Sequence, residues 1–476
     1  MRLTYEEMAA CLGVELPENT PGEVQRTLAR RAVTDSREVT PESLFVCIAG
    51  EHVDGHDYAA AAVEKGASIV LAARELPGIP VPVLVVGDTV LALGKLAASW
   101  RDRTRAKVVC VTGSCGKTTV KEMLHSILSI HGKTVCNPLN HNNQIGMPRA
   151  VLDADGDEDF WVFEAGISHP GDMDELAGIL RPDIGLIVNV GDAHTEGLGD
   201  MGVAWHKTRL LNHLSPEGFG VVSADYPELV WKAVGTHVPL HFFSAHEGVA
   251  GNSAYFARYL GRDADSGNGR YELCLAGKTC RAEAPLIGIS GAEDCIAAAA
   301  CANLLGLDTE EILAGLRKVA ALPQRCRMQR RGGWIVMDDT YNANPLSMRR
   351  MLETARDRAG EMPLVLVLGE MGELGKKSAE LHNQLGRDAA KVSPAAVFWK
   401  GGRAEAVRAG LDAAGYDGPW FTIEGEKDFR EGWIRFRASE MNRGKGLILF
   451  KGSRSNRLES VLETFLGSEG EGDYVL

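Results

Sequence analysis

The chain has 476 residues, 45% hydrophobic and 24% charged, the balance of a soluble globular protein and too long for one core. A net charge of −13 argues against general affinity for nucleic acid or anionic membranes, which carry the same sign. Met1-Arg2-Leu3-Thr4-Tyr5-Glu6-Glu7 lacks the apolar stretch of a signal peptide, no run nears the roughly 20 apolar residues of a membrane span, and the 10 cysteines form no C-x-x-C pair. A cytoplasmic protein with reduced thiols, no zinc ribbon and no membrane insertion is expected.

Residues 1–105 read as a first, smaller unit of mixed helix and strand. It holds the turn Asp35-Ser36-Arg37, a strand at Leu44–Ile48 and a closing polar linker, Arg101-Asp102-Arg103-Thr104-Arg105. A second unit, 106–323, opens on an apolar strand, Val108–Val111, that stops at a glycine turn. A helix follows whose apolar residues Val120, Met123, Leu124, Ile127 and Leu128 fall on one face. Further apolar runs at Phe160–Phe163 and Ile184–Val190 alternate with helices, the pattern of a parallel sheet covered on both faces. From about Gly218 to Ile289 an antiparallel section is expected, then an alanine-rich helix from Ala292 to Leu305 and a boundary near Leu322-Pro323. The third unit, 324–476, alternates again, with strands at Leu364–Leu368, Ala396–Trp399 and Leu447–Phe450. Helices are expected at Ser378–Lys391, Ala404–Leu411 and Leu458–Leu466, giving a second doubly wound domain before a mobile acidic tail, Gly467 to Asp473.

The strand–loop–helix junction carries the chemistry. Gly113-Ser114-Cys115-Gly116-Lys117-Thr118-Thr119 gathers backbone N–H groups and the positive end of a helix around one point, which suits a phosphate. Lys117 would reach the outer phosphates of a nucleoside triphosphate and Thr118 would ligate magnesium. The loop is shorter than the common G-x-x-x-x-G-K-[ST] form, which would need glycine at Val111. Cys115 is either a reactive thiol or a small residue that fits the turn. Glu164 and His194 sit at or just beyond the carboxyl ends of neighbouring strands, where a carboxylate and an imidazole would complete metal coordination. Asn140-His141-Asn142-Asn143-Gln144-Ile145-Gly146 either reads polar substrate groups or is a simple turn; Asp339, in Asp338–Pro345, either holds ribose hydroxyls or belongs to an Asx-rich turn.

Taken in order, from Asp35-Ser36-Arg37 to Lys451-Gly452-Ser453-Arg454-Ser455, these segments resemble the Mur ligase family, ATP-dependent amide-forming enzymes of peptidoglycan synthesis. Within that family, Asn142–Pro148, Glu164–Gly171, Asp338–Pro345 and Leu368–Gly375 resemble the members that join D-alanyl-D-alanine to UDP-N-acetylmuramoyl-tripeptide. The Asp-Asn-Pro-Arg motif of the diaminopimelate-adding members does not occur. The resemblance implies an α/β, three-domain protein: an N-terminal domain for the UDP moiety, a central P-loop parallel-sheet ATPase domain and a C-terminal Rossmann-like domain for the dipeptide. It implies ATP and Mg2+ as cofactors, UDP-N-acetylmuramoyl-tripeptide and D-alanyl-D-alanine as partners, and a monomer. Substrate contacts are then expected from Ser36, Arg37, Asn142, Asn143, Ser168, Asn342, Asn344 and Lys451, and nucleotide contacts from the phosphate loop with Asp294, Arg327 and Asp339. For Asp35-Ser36-Arg37, a plain turn with a surface arginine is the alternative.

Two departures from the family pattern stand out. Relatives carry His-Asn and a further Asn on the adenine-side helix, where this chain has Glu293-Asp294 and Ala297; Asp294 can still accept from an exocyclic amine. Their Gly-Arg pair is Cys326-Arg327 here. The family also implies a carbamylated lysine at Lys207, a magnesium ligand 13 residues beyond His194, with His206 as a neighbouring competitor and a solvated helix lysine as the plain alternative. Another amide ligase with a different acceptor, or a nucleotide-binding homologue without ligase activity, are the rival readings.

Overall fold

The computed structural model describes residues 1–191, 196–247, 253–263, 266–320, 324–438 and 445–468. His194, the expected boundary at Leu322-Pro323 and most of the acidic tail lie outside the described residues.

The first helix, Tyr5–Leu12, starts where Thr4 and Glu7 cap one another and ends at left-handed Gly13. Four parallel strands follow, Arg31–Val33, Ser43–Val46, Ala67–Ala72 and Val83–Val85, adjacent in that order. Helix Thr89–Arg101 then packs against helices Gly146–Asp153 and Asp172–Leu180 of the next unit. Arg101 was expected in a solvated linker but closes this helix. Its guanidinium donates to the Leu180 carbonyl at 2.8 Å and lies 3.6 Å from Asp183, so acceptors at the seam draw the polar residue inward.

Among the described residues nine strands form the central sheet. Lys107–Thr112 lies between Phe160–Glu164 and Ile184–Ile187, and all three run parallel. From it the chain crosses to the edge strand Thr134–Cys136, returns as Phe160–Glu164, then passes to the opposite side at Ile184–Ile187. Its carboxyl end is therefore a topological switch point, where such sheets open a crevice. Val108 to Val111 are fully buried because helices cover both faces, and helix Lys117–His131 buries the apolar stripe read from its sequence.

The expected antiparallel section is corrected in its first half. Phe219–Ser223 and Leu240–Ser244 extend the parallel sheet, and helix Pro227–Val234 lies between them in the chain. Pro227 occupies the first helical position, where its missing N–H costs nothing; as sequence it reads as a turn. Among the described residues of this section, Tyr255–Arg262, Gly269–Leu275 and Lys278–Ala284 pair antiparallel, the last two through a tight turn with positive φ at Ala276 and Gly277. The alanine-rich helix begins earlier than expected, at Gly288, and runs to Leu304, buried from Gly291 to Ala302.

The six-stranded third sheet has the order Arg327–Arg331, Trp334–Asp339, Gly446–Lys451, Leu364–Gly369, Ala396–Lys400, Trp420–Thr422, parallel except for the first strand. Helices Pro345–Ala359, Ser378–Lys391 and Ala404–Ala413 cover one face through Met348, Leu352, Leu385 and Val407. Helices Glu426–Arg437 and Leu458–Ser468 cover the other with Phe429, Trp433, Val461 and Phe465. Ser378–Lys391 and Ala404–Ala413 meet backbone to backbone at two glycines. A Cβ on Gly386 would lie 2.1 Å from the Val407 carbonyl oxygen, and one on Gly410 would lie 1.9 Å from that of Asn383.

Candidate active site

At the switch point the chain leaves Thr112, turns through Gly113 and enters the helix at Lys117. Gly116 has φ +79°, and a Cβ there would meet Asp294 Oδ1 at 2.6 Å, so the turn requires glycine on two counts. The Asn189 side chain fixes the loop. Its Oδ1 accepts from the N–H groups of Ser114 and Cys115, both at 3.0 Å, and its Nδ2 donates to the Cys115 carbonyl at 3.0 Å. Lys117 Nζ folds back to donate to the Gly113 carbonyl at 2.9 Å. Burial holds the Lys117 pKa below the usual lysine range, opposed by the charge of Glu164.

Glu164, 1% exposed, is the second fixed point. The Thr118 hydroxyl donates to its Oε2 at 2.7 Å and Asn142 Nδ2 to its Oε1 at 2.5 Å. Asn137 braces its backbone, accepting from Glu164 N at 2.8 Å and donating to its carbonyl at 3.1 Å. Two hydroxyl or carboxylate oxygen donors thus face one another beside the half-buried Lys117. Lys207, only 2% exposed, lines the same cleft. Its pKa is pushed well below the usual lysine range, first by burial and then by the charge of Lys117. The competitor His206 turns away: its Nε2 is 2.7 Å from the Leu198 carbonyl in the core.

The cleft has a volume of about 540 Å3 and is walled on its far side by the third sheet. Asn344 caps helix Pro345–Ala359, accepting from Ser347 N at 2.9 Å, while its Nδ2 donates to the Ser114 carbonyl at 2.9 Å. Lys451 pairs with Asp339 and donates to the Asn342 carbonyl at 3.0 Å. Asp339 also accepts from Cys326 N at 3.1 Å. Asp294 lies beneath the phosphate loop with Oδ1 buried and unpartnered, and burial raises its pKa to about 8 against the pull of Arg350. Burial likewise raises the Cys115 pKa and keeps it a thiol, in line with a small residue that fits the turn.

Most of the expected residues come together here. Ser114 to Thr119, Asn142, Asn143, Glu164, Ser168, Lys207, Asp294, Asp339, Asn342, Asn344 and Lys451 all line the cleft. Gly113 contributes through its carbonyl. Arg327 does not line it; it sits on the edge strand Arg327–Arg331, and Arg325 lines the cleft instead, stacked 4.1 Å over the Tyr341 ring. Ser36 and Arg37 also lie apart from the cleft. The Arg37 side chain is 86% exposed and bound to Asp35, while flanking Thr34 and Glu38 accept from Arg149. Arg325 and Arg350 escaped the sequence reading, since neither belongs to a recognisable motif. Tyr341 stood inside one, but nothing local marked its ring as a platform.

With this geometry in view, the chain was compared with known proteins. It matches the Mur ligase family catalytic domain over residues 32–101, the Mur ligase middle domain over 111–302 and the Mur ligase glutamate ligase domain over 325–454. It is 36% identical to the UDP-N-acetylmuramoyl-tripeptide--D-alanyl-D-alanine ligase of Escherichia coli, over 76% of this chain and 78% of that one. The enzyme of the same name from Mycobacterium bovis is 32% identical, covering 90% and 88%. Among solved structures, MurF from Acinetobacter baumannii superposes with a TM-score of 0.86 at 27% identity, covering 98% of this chain and 99% of that one. MurF from Thermotoga maritima in complex with ADP gives 0.77 at 25% identity, covering 94% and 99%. Three matched domains in family order, with the phosphate loop at the head of the middle one, establish that the chain belongs to the Mur ligase family.

Proposed function

We propose that the chain joins D-alanyl-D-alanine to UDP-N-acetylmuramoyl-tripeptide with hydrolysis of ATP, a step of cytoplasmic peptidoglycan precursor synthesis. The observation that carries this is one cleft in which half-buried Lys117, the Thr118–Glu164 pair and Lys207 face Asn342, Asn344 and Lys451 of the third unit. Such a cleft places a phosphate-binding loop against a wall able to deliver a second substrate. Among the described residues no helix is long and apolar enough to cross a membrane.

On this reading the first unit, 1–105, holds the UDP moiety, 106–323 holds ATP and 324–476 delivers the dipeptide, in a monomer. The terminal carboxylate of the tripeptide attacks the γ-phosphate, giving an acyl phosphate and ADP. The dipeptide amine then attacks the acyl carbon and inorganic phosphate leaves. Lys117 neutralises charge on the outer phosphates, the helix beginning at Lys117 adds its dipole, and Asn142 keeps Glu164 aimed into the cleft. Magnesium takes oxygen ligands, and the Thr118 hydroxyl and Glu164 carboxylate form a donor set that fits it; His194 is a further candidate ligand. Bound there it would offset phosphate charge. Lys207 is suited to carbamylation because its depressed pKa leaves the neutral amine that attacks carbon dioxide, and the product adds an oxygen anion to the same wall.

Phosphate release by the purified chain with UDP-N-acetylmuramoyl-tripeptide, ATP and D-alanyl-D-alanine tests the assignment, each substrate being omitted in turn. Turnover that requires all three is expected. Turnover indifferent to the dipeptide would overturn it in favour of a different acceptor, and absence of turnover would favour a nucleotide-binding homologue.

A further inference from the structure

We propose that Arg350 is a positioning residue for this reaction: docked on Glu293, it holds the third sheet closed over the phosphate loop. The inference rests on the ligase reading above, since it concerns how the wall carrying Asn342 and Lys451 is kept against the nucleotide side.

Arg350 lies in helix Pro345–Ala359, whose first turn is already tied to the phosphate loop by Asn344. Its guanidinium leaves the third unit and enters the second, where it meets three separate elements. It donates to Cys115 Sγ at 3.0 Å in the phosphate loop, to Tyr226 Oη at 2.5 Å ahead of helix Pro227–Val234, and to the Glu293 carboxylate on the alanine-rich helix. Tyr226 in turn donates to Glu293 Oε1 at 2.9 Å. The Glu293 side chain is 1% exposed and that of Arg350 is 14% exposed.

The geometry separates this cluster from ordinary surface pairs, which change little when broken. Glu293 is buried in the second unit with a cation that belongs to the third. If the third unit swings away, Glu293 loses its counter-charge, which is unfavourable. The bond network is therefore complete only in the closed arrangement. One of its arms ends on Cys115, so closure and the conformation of the phosphate loop are coupled through a single side chain. A two-state element biased by two sites is the physical requirement for such coupling.

The test uses the full chain with Arg350→Met, Glu293→Gln and the double variant, assayed for the KM of each substrate. Arg350→Met should raise the KM for D-alanyl-D-alanine about tenfold or more, while the KM for ATP moves less than about threefold. The double variant should be no worse than the worse single variant, because the two side chains act as a unit. Arg350→Lys should recover part of the loss. Small-angle scattering with ADP should show a more extended Arg350→Met protein. A dipeptide KM within twofold of the parent, single effects that multiply in the double variant, or an unchanged radius of gyration would each overturn the proposal. If Arg350→Met does not fold, Glu293→Gln serves in the scattering arm with the same two outcomes. Scattering needs no turnover, so a parent chain without ligase activity would overturn the functional reading while leaving the role of Arg350 separately testable.

Discussion

Two polar loops of this molecule invite comparison. Asp35-Ser36-Arg37 follows the strand Arg31–Val33, and Gly113–Thr119 follows the strand Lys107–Thr112; each is a short signature at the carboxyl end of a parallel strand. They are built differently. Around the phosphate loop, Lys117 donates to the Gly113 carbonyl and Thr118 and Asn142 converge on buried Glu164, in a frame braced by Asn189 and Asn137. Arg37 is held only by its near neighbour Asp35 and is otherwise in water. On the proposed function, the phosphate loop is organised before any ligand arrives, so its parts should act on turnover. Asp35-Ser36-Arg37 is free to adapt, so its parts should act on affinity.

The largest effect is expected from Lys117→Ala. Removing this cation should lower kcat by on the order of 100-fold or more while the melting temperature stays close to that of the parent. Near-normal turnover would mean the loop does not hold the nucleotide. Lys207→Ala should come next, with a loss of roughly 50-fold that a short-chain carboxylate partly restores by returning an oxygen ligand to the cleft. Full activity without rescue, or density for a bare ammonium in a nucleotide complex, would count against the carbamate.

On the other loop, Arg37→Ala should weaken UDP-tripeptide binding about fivefold to tenfold by calorimetry and leave kcat unchanged, the mark of binding shared equally by ground and transition states. An unaltered Kd would remove Arg37 from the site. An effect on stability rather than turnover is expected from Asp294→Asn, beneath the phosphate loop. The Asp294 pKa rises from 3.8 to about 8 on folding, so between those values the folded chain holds a proton that the unfolded chain has lost. Its contribution therefore falls as pH rises through that window, by up to about 1.4 kcal/mol per pH unit, and levels off above it. Denaturant titrations at pH 6 and pH 8 should show a shallower decline in Asp294→Asn than in the parent; equal slopes would show that Asp294 does not carry the effect.

What the sequence disclosed follows a physical boundary. Helix Ser378–Lys391 and the strand starting at Leu364 are legible because periodicity and apolar runs are local properties of the chain. Lys117, Thr118 and Glu164 are legible because strand, glycine turn and helix are consecutive, and because a carboxylate closing an apolar strand must emerge at the crevice. Arg350 is 235 residues from Cys115, and its neighbours in sequence are those of an exposed helix face, so nothing local announces its burial. Arg325 was passed over for Arg327 because the strand begins between them and carries Arg327 to the edge of the sheet. Parallel and antiparallel pairing between Phe219 and Ala284 could not be told apart where strands are short and a helix opens on proline.

The glycine contact between helices Ser378–Lys391 and Ala404–Ala413 reaches beyond packing. A methyl group at Gly386 or Gly410 would act as a wedge, prying two helices apart at a cost on the order of 1–3 kcal/mol. Natural variation has little room along that seam, and the third unit is accordingly a stiff lever. Change is channelled to the loops at its tip, around Asn342 and Lys451, where, on the proposed function, a different incoming amine could be accommodated without bending the arm behind it.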